Sequence, residues 1–435
     1  MKYLIGALPL VGMPLFLLFA GVFFACYLGR LFFCRKGGSL AQKRRGKSRK
    51  TGSARALAVA LAGTLGVGNI AGVATAISLG GAGAVFWMIL AAFAAMPVKY
   101  AEITLAQVHR KTRTDGTRYG GAPYYIGAVL GGGFGRFAAA LFAVLLIFCT
   151  LTLGTALQAH AAAEALAGVF DTPPVAVGLL LALLAALILE ADRGLAERVL
   201  TALVPFLCVG FTLASLAVIF TRRAALPAAF AAIWRGAFTP SAGLGGALGV
   251  ACSRAVRFGV ARGLVSNEAG CGTAPTAHAA ADAACPAAQG LWGILEVFVD
   301  TVLLCTLTAL VILVTAGEST GAGVMLAISA FGAVLGPVAP PLIAVSVLLF
   351  AFATVLCWAR YGREALFYLT GTPCGAHFFT LAVSLATLLG AVTTPTLVWG
   401  VTDLVLALMT VINLAVLLIA RHSVFEETKR LLEKI

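Results

Sequence analysis

The chain has 435 residues, 61% of them hydrophobic and only 11% charged, with a mean hydropathy of +1.00. A water-soluble domain is about half apolar and a quarter charged, so this surplus excludes a set of ordinary globular cores and requires lipid. The formal net charge of +14 does not indicate a nucleic-acid partner, because the basic residues lie between apolar runs of about 20 residues and not on one docking face.

A membrane crossing needs about 20 mostly apolar residues. In chain order such runs fall near 8–34, 54–79, 84–109, 136–168, 175–190, 198–220, 237–262, 289–316, 338–371, 376–395 and 398–420. The fold class predicted is an all-α polytopic membrane protein with about 11 transmembrane helices. The first run is too long for a signal-peptide core and is read as a retained helix. The segment after it, Arg35 to Arg55, carries nine basic residues and no acid. Basic loops stay cytoplasmic, which places the N-terminus outside. Alternation then puts Arg110, Lys111, Arg113, Arg118, Arg136, Arg193, Arg198, Arg254, Arg257, Arg262, Arg360, Arg363, Arg421, Lys429, Arg430 and Lys434 inside, leaving Lys2, Arg222, Arg223 and Arg235 outside. The C-terminus is therefore expected to be cytoplasmic. The ten cysteines form no CxxC pair and the histidines no HExxH, so buried free thiols are expected, with no zinc or redox site.

Glycine placement carries the first functional signal. The second run contains GTLGVGNIAG (Gly63–Gly72) and the seventh FTPSAGLGGALG (Phe238–Gly249). Several glycines within two turns weaken a helix. Interrupted spans at matching places in two halves point to a transporter site. Unwound backbone in lipid needs a ligand or a wet cavity. Its free N–H groups suit a carboxylate, and its free carbonyls suit a cation.

With these residues in view the chain resembles the sodium:alanine symporters. The resemblance runs through GTLGVGNIAGVATAISLGG (Gly63–Gly81), FGVARGLVSNEAGCGTAPTAHAAA (Phe258–Ala281), QGLWGILEVFVDT (Gln289–Thr301) and FAFATVLCWARYG (Phe350–Gly362). It implies a leucine-transporter-like fold in which two inverted five-helix repeats form a ten-helix core. On this chain that gives an extra N-terminal helix (1–34), a basic loop (35–55), a first repeat (56–221), a second repeat (237–420) with a cytoplasmic loop at 263–288, and a cytoplasmic tail (421–435). The implied activity is sodium-coupled import of small neutral amino acids, alanine or glycine, by alternating access in a bacterial cytoplasmic membrane. Na⁺ is the coupling ion. Beyond substrate, Na⁺ and lipid, neither nucleic acid nor an obligatory protein partner is expected.

The resemblance also assigns candidate residues. The backbone of Leu65, Gly66, Val67 and Gly68 is expected to meet the substrate carboxylate, and Gly243, Gly245, Gly246 and Ala247 to close the other side. Gln158 matches a family glutamine placed to accept from the substrate ammonium, and a lone glutamine also serves as interhelical glue. Asn69 either caps the second half-helix or, as in the wider fold, ligates sodium. Ala62, Leu65, Phe350 and Thr354 are the expected set of a second sodium site. The family pattern has FAFTT where this chain has FAFAT, so Ala353 removes one hydroxyl there. Ala247 stands for a Phe, His160 for an Asn and Arg254 for a Gln, and Ala82 and Ala122 also depart from the pattern. These changes leave cargo and sodium stoichiometry open.

Intramembrane charges are costly and default to functional candidates. Lys99 and Glu102, three residues apart on one helix, are expected to neutralise each other. Glu296 and Asp300 are like charges on one face, to be relieved by a proton, an arginine or a cation. Arg262, Asn267 and Glu268 suit either an inner gate of breakable polar contacts or a plain loop anchor. A proton-coupled permease with His160 or Glu296 as carrier is the alternative within transport. A channel needs a ring of filter groups, and an enzyme needs a nucleophile with its base or a metal cluster. No such motif is present.

Overall fold

A computed structural model describes residues 12–33, 47–191, 194–238 and 254–433. Almost every described residue is helical. In chain order the helices are α1 (Met13–Phe33), α2 (Lys47–Thr64), α3 (Ala71–Gly80), α4 (Gly83–Val108), α5 (Ala122–Leu130), α6 (Gly132–Phe170), α7 (Pro174–Glu190), α8 (Leu195–Thr221), α9 (Leu226–Ala237) and α10 (Arg254–Asn267). They continue as α11 (Pro275–Ala279), α12 (Pro286–Val314), α13 (Gly323–Leu335), α14 (Ala339–Thr370), α15 (Ala376–Val392), α16 (Pro395–Ile419) and α17 (Arg421–Glu433). Two short antiparallel strands, β1 (Lys111–Thr112) and β2 (Arg118–Tyr119), form a hairpin after α4.

Among the described residues seven helices are long and apolar enough to cross a bilayer, and the bent pair α2–α3 makes an eighth. Helix α4, at 26 residues, spans about 39 Å, enough for a hydrocarbon core of about 30 Å. Shorter apolar helices lie at Met13–Gly29, Pro174–Glu190 and Gly323–Leu335. The outer surface is greasy, as lipid demands. Phe206, Val209, Leu213, Leu216 and Phe220 repeat at three- and four-residue spacing along α8 and are all exposed. The interior packs closely through small residues. A side chain at Gly259 of α10 would stand 2.3 Å from the Ala84 carbonyl of α4, so those backbones meet only because position 259 is glycine. Cys149, Cys305 and Cys357 are buried free thiols.

The seventh crossing differs from the expectation. The chain leaves α9 at Ala237, whose carbonyl accepts from Trp87 Nε1 at 2.9 Å. It resumes at Arg254, whose carbonyl lies against Gly80. Both contacts are at the Gly80–Trp87 end of the bundle. From there α10, an irregular stretch at 268–274, and α11 carry the chain to Asp282, which lies against Gly52 at the other end. The described part of this region, 254–279, runs between the two ends of the bundle, so Arg254 lies at the end opposite Gly52 and not on the same side as alternation expects, while residues 239–253 of the expected 237–262 crossing lie outside the described residues. Residues 263–279, expected as part of a cytoplasmic loop, are mostly buried helix and turn. Five short helices, α5, α9, α11, α13 and α17, lie outside the crossings read from hydropathy, α9 but for its last residue.

Candidate functional site

The first break begins where α2 ends. Leu65 N–H still reaches back to Leu61 at 2.7 Å, but Gly66 N–H turns to Thr64 at 2.9 Å, and Val67–Asn69 form a single 3-10 turn before α3. The two half-helices are bent by 61°. Val67 N–H, left without a helical acceptor, donates to Gln158 Oε1 at 3.1 Å. Gln158 is held in turn by its Nε2, which donates to the Leu153 carbonyl at 3.1 Å. That carbonyl is five residues back because α6 contains a π turn at Thr150–Ala156. Such turns mark functional positions in helices. Here the extra residue lets a glutamine brace itself on its own helix while presenting its oxygen to another.

Gly66 packs against two side-chain oxygens. A Cβ there would lie 2.6 Å from Gln158 Oε1 and 2.7 Å from Thr354 Oγ1. The hydroxyl of Thr354 lies 3.0 Å from the Ala62 carbonyl and 3.0 Å from the Phe350 carbonyl. One hydroxyl hydrogen cannot fully serve two acceptors, so three oxygens converge with fewer protons than lone pairs. Ala62, Phe350 and Thr354 are thus brought together, with buried Leu65 one turn on. Thr354 also makes the local bond to its own helix that its residue type favours. Ala353 adds no further oxygen.

Asn69 anchors a second polar cluster. Its Nδ2 donates to Asp300 Oδ1 at 2.7 Å and to the Asp300 carbonyl at 3.1 Å. Another π turn, Phe298–Cys305 in α12, contains Asp300 and alters the local helical bonding. Ser266 Oγ and Thr301 Oγ1 both donate to Asp300 Oδ2, at 2.9 Å and 2.6 Å. Asn267 Nδ2 reaches Thr301 Oγ1 at 3.2 Å. The Oδ1 of Asn69 is buried with no hydrogen-bond partner among the described residues. Such an orphan costs about 1–3 kcal/mol unless a ligand satisfies it. The residue does not act as a side-chain cap for α3, whose N-cap position is Ile70.

The second break lies directly opposite. Ser266 packs against Gly68, and beyond Asn267 the helix stops. Glu268, Gly270 and Gly272 take φ of 53°, 82° and 74°. Left-handed backbone is costly for a glutamate and persists only where surroundings over-determine it. Those surroundings are distant in sequence. Gly272 N–H donates to Glu102 Oε1 at 2.9 Å, the Gly270 carbonyl accepts from Asn413 at 2.9 Å, and the Asn267 carbonyl accepts from Lys99 Nζ at 2.9 Å. Trp358 Nε1 joins the two breaks, lying 3.1 Å from Glu268 Oε1 and 3.3 Å from the Gly63 carbonyl.

The charges do not pair as expected. Lys99 bonds Glu296 at 3.1 Å, and not Glu102. Lys99 sits on α4 among α10, α11 and α12, so its ammonium meets the acid facing it across the interface. Glu296 is shared with His278 at 3.0 Å, and His278 meets Gln289 at 2.8 Å. Arg262 lies over the Trp399 ring at 3.8 Å with Asp403 at 3.6 Å, apart from Asn267 and Glu268. Gly243, Gly245, Gly246 and Ala247 lie outside the described residues. The break seen at 268–274 escaped sequence reading because NEAGCG carries charge and glycine like any loop. Asp300 had a signal as an intramembrane acid, whereas Ser266, Thr301 and Trp358 had none.

Comparison with known proteins identifies the family and the fold. The Sodium:alanine symporter family profile matches residues 5–435. An uncharacterized transporter of Haemophilus influenzae is 37% identical over 435 residues, covering 98% of this chain and 94% of its own. The sodium/alanine symporter AgcS of Methanococcus maripaludis is 36% identical over 380 residues, covering 86% and 83%. A probable sodium/glutamine symporter of Bacillus subtilis is 32% identical, covering 86% and 77%. Among solved structures, a manganese transporter of Eremococcus coleocola superposes with a TM-score of 0.54 at 16% identity, covering 87% of this chain and 80% of that one. That likeness shows the fold alone, which is leucine-transporter-like. By sequence match over nearly its whole length and by fold, the chain belongs to the sodium:alanine symporter family, a family of sodium-coupled amino-acid carriers and not of enzymes.

Proposed function

We propose that this protein imports a small neutral amino acid, alanine or glycine, together with Na⁺ across a bacterial cytoplasmic membrane by alternating access. The observation that carries the reading is the buried, unpartnered Asn69 Oδ1 beside the Asp300 carboxylate, at the meeting of two helix breaks. Hard cations are held by oxygen. Asn69 Oδ1, the Asp300 carboxylate and Thr301 Oγ1 supply one such set, with Ser266 and Asn69 Nδ2 orienting the carboxylate. The Ala62 and Phe350 carbonyls with Thr354 Oγ1 supply a second, and Leu65 lies at its edge.

The substrate carboxylate takes the N–H groups of the Leu65–Gly68 turn. Gln158 Oε1 now stands at Val67 N–H in the place a carboxylate oxygen would occupy. Displaced from it, that oxygen is free to accept from the substrate ammonium. The 266–274 stretch forms the opposite wall. Gly243, Gly245, Gly246 and Ala247 close the other side of the substrate.

Counting α7 and 254–279 as crossings beside the eight long apolar ones, five start with each break, 52–80 to 195–221 and 254–279 to 395–419, with α1 in addition. This arrangement supports two repeats rocking about a fixed site. The basic segment places the N-terminus outside and the C-terminus inside. Each charge carried inward gains about 2.3 kcal/mol per 100 mV.

The test is uptake of labelled alanine and glycine into proteoliposomes under imposed Na⁺ or H⁺ gradients, for wild type and Asn69→Ala. Uptake driven by sodium and lost in the variant is expected. Uptake indifferent to sodium would overturn the reading.

A further inference from the structure

Around the second break the described residues bring four carboxyl groups, Glu102, Glu268, Glu296 and Asp300, to within 2% of complete burial. One amine, Lys99, faces them. An uncompensated buried ion costs several kcal/mol even after relaxation, so the carboxyls are best sorted by what meets each one. Glu296 has Lys99 and His278. Asp300 accepts from Asn69, Ser266 and Thr301 and borders the proposed cation site. Glu102 accepts on Oε1 from Gly272 N–H and from Asn413 Nδ2, donors suited to an anion. Glu268 has an indole and a hydroxyl and, among the described residues, no cation within ion-pair distance.

The chemistry of those two neighbours is specific. Trp358 Nε1 can only donate, so Glu268 Oε1 must accept. Thr273 Oγ1, 2.6 Å from Glu268 Oε2, can accept as well as donate. A carboxylate fits these partners as two donors, and a carboxylic acid with its proton on Oε2 fits them with Thr273 accepting; complete burial with no cation at ion-pair distance among the described residues favours the acid. The remaining titratable groups facing Glu268 add no positive charge beyond Lys99. They are Glu296 and Asp300 on α12, Cys357 and Tyr361 on α14, Cys149 on α6 and Cys271 on its own segment.

We propose that Glu268 is a proton-binding site of the closed transporter, loaded when the two breaks are packed together and emptied when water reaches the 268–274 segment. The cargo is a single proton, gained from solvent on closure and returned to solvent on opening, with no other bond changed. Deepening the symport reading, this makes the closed state more favourable as pH falls and the open state more favourable as pH rises.

The test uses the full-length protein in proteoliposomes. Infrared difference spectra against Glu268→Gln read the C=O stretch of a protonated carboxyl, which a carboxylate lacks. The expected result is one such band near neutral pH, absent in Glu268→Gln, present but shifted in Glu268→Asp, and unchanged in Glu102→Gln. The half-saturating alanine concentration of wild type then changes by up to about tenfold per pH unit, and Glu268→Gln flattens that slope. A wild type without the band, or a band lost in Glu102→Gln and kept in Glu268→Gln, overturns the assignment. A band assigned to Glu268 in a protein without sodium-driven uptake would defeat the symport reading while leaving the proton site in place.

Discussion

Replacing Gly66 with alanine tests the site at its tightest point. The added methyl would begin 2.6 Å from Gln158 Oε1 and 2.7 Å from Thr354 Oγ1. Ordinary contact needs roughly 3.5 Å, so each oxygen must recede by roughly 0.8–0.9 Å. Thr354 Oγ1 then leaves its position 3.0 Å from the Ala62 and Phe350 carbonyls, and Gln158 loses Val67 N–H. Overpacking of this kind costs about 1–3 kcal/mol of stability. A displacement of about 1 Å in a positioned group costs on the order of 100-fold in efficiency. Gly72→Ala is the matched control, because a Cβ there meets nothing within 4 Å. The assay is the sodium and alanine dependence of uptake, read beside thermal unfolding. Expected are a fall of about 100-fold in uptake efficiency for Gly66→Ala and wild-type behaviour for Gly72→Ala. Wild-type sodium and alanine affinity in Gly66→Ala would falsify the geometry from which this is reasoned.

Three further outcomes are expected. Asp300→Asn keeps the shape of the Asn69 cluster but removes its charge, so sodium affinity falls at least about tenfold while the fold survives, as read by sodium titration of uptake. Thr354→Val loses the oxygen facing Ala62 and Phe350 and raises the half-saturating sodium concentration, whereas Thr354→Ser keeps it; equal sodium curves for both would remove Thr354 from the cation site. Lys99→Met strands Glu296 and costs about 3–5 kcal/mol, while Lys99→Met with Glu296→Gln costs much less. Thermal unfolding of the purified protein decides it, and additive losses would mean the two side chains do not act as a pair.

Most crossings were legible because lipid leaves little choice: α4, α6, α8, α12 and α14 fall within a few residues of the apolar runs. The first break was legible for a local reason, since four glycines between Gly63 and Gly72 cannot hold a stiff helix. The second was not. Its irregular backbone is stabilised by Glu102, Asn413, Lys99 and Trp358, which lie far away in the chain, so nothing within NEAGCG distinguishes a buried break from a surface turn. The same distance hid the partner of Lys99: spacing on α4 proposes Glu102, whereas packing supplies Glu296 from α12. Gln158 was identified, but the π turn that gives it a brace was not, because one extra residue in a helical turn leaves no mark in composition. Arg254 lies at the end away from Gly52, against the alternation, because α10 and α11, whose charges and NEAGCG break hide them from a hydropathy reading, carry the chain from there to the Gly52 end.

Trp358 has one N–H hydrogen, and two acceptors on different broken helices compete for it. Displacement of either the Gly63 carbonyl or Glu268 hands that hydrogen to the other. Indole emission shifts with the hydrogen bonding and polarity around the ring. The protein thus carries an intrinsic optical reporter at the junction of its two moving parts, and once the other four tryptophans are replaced, the colour of a single fluorophore follows which half has let go first.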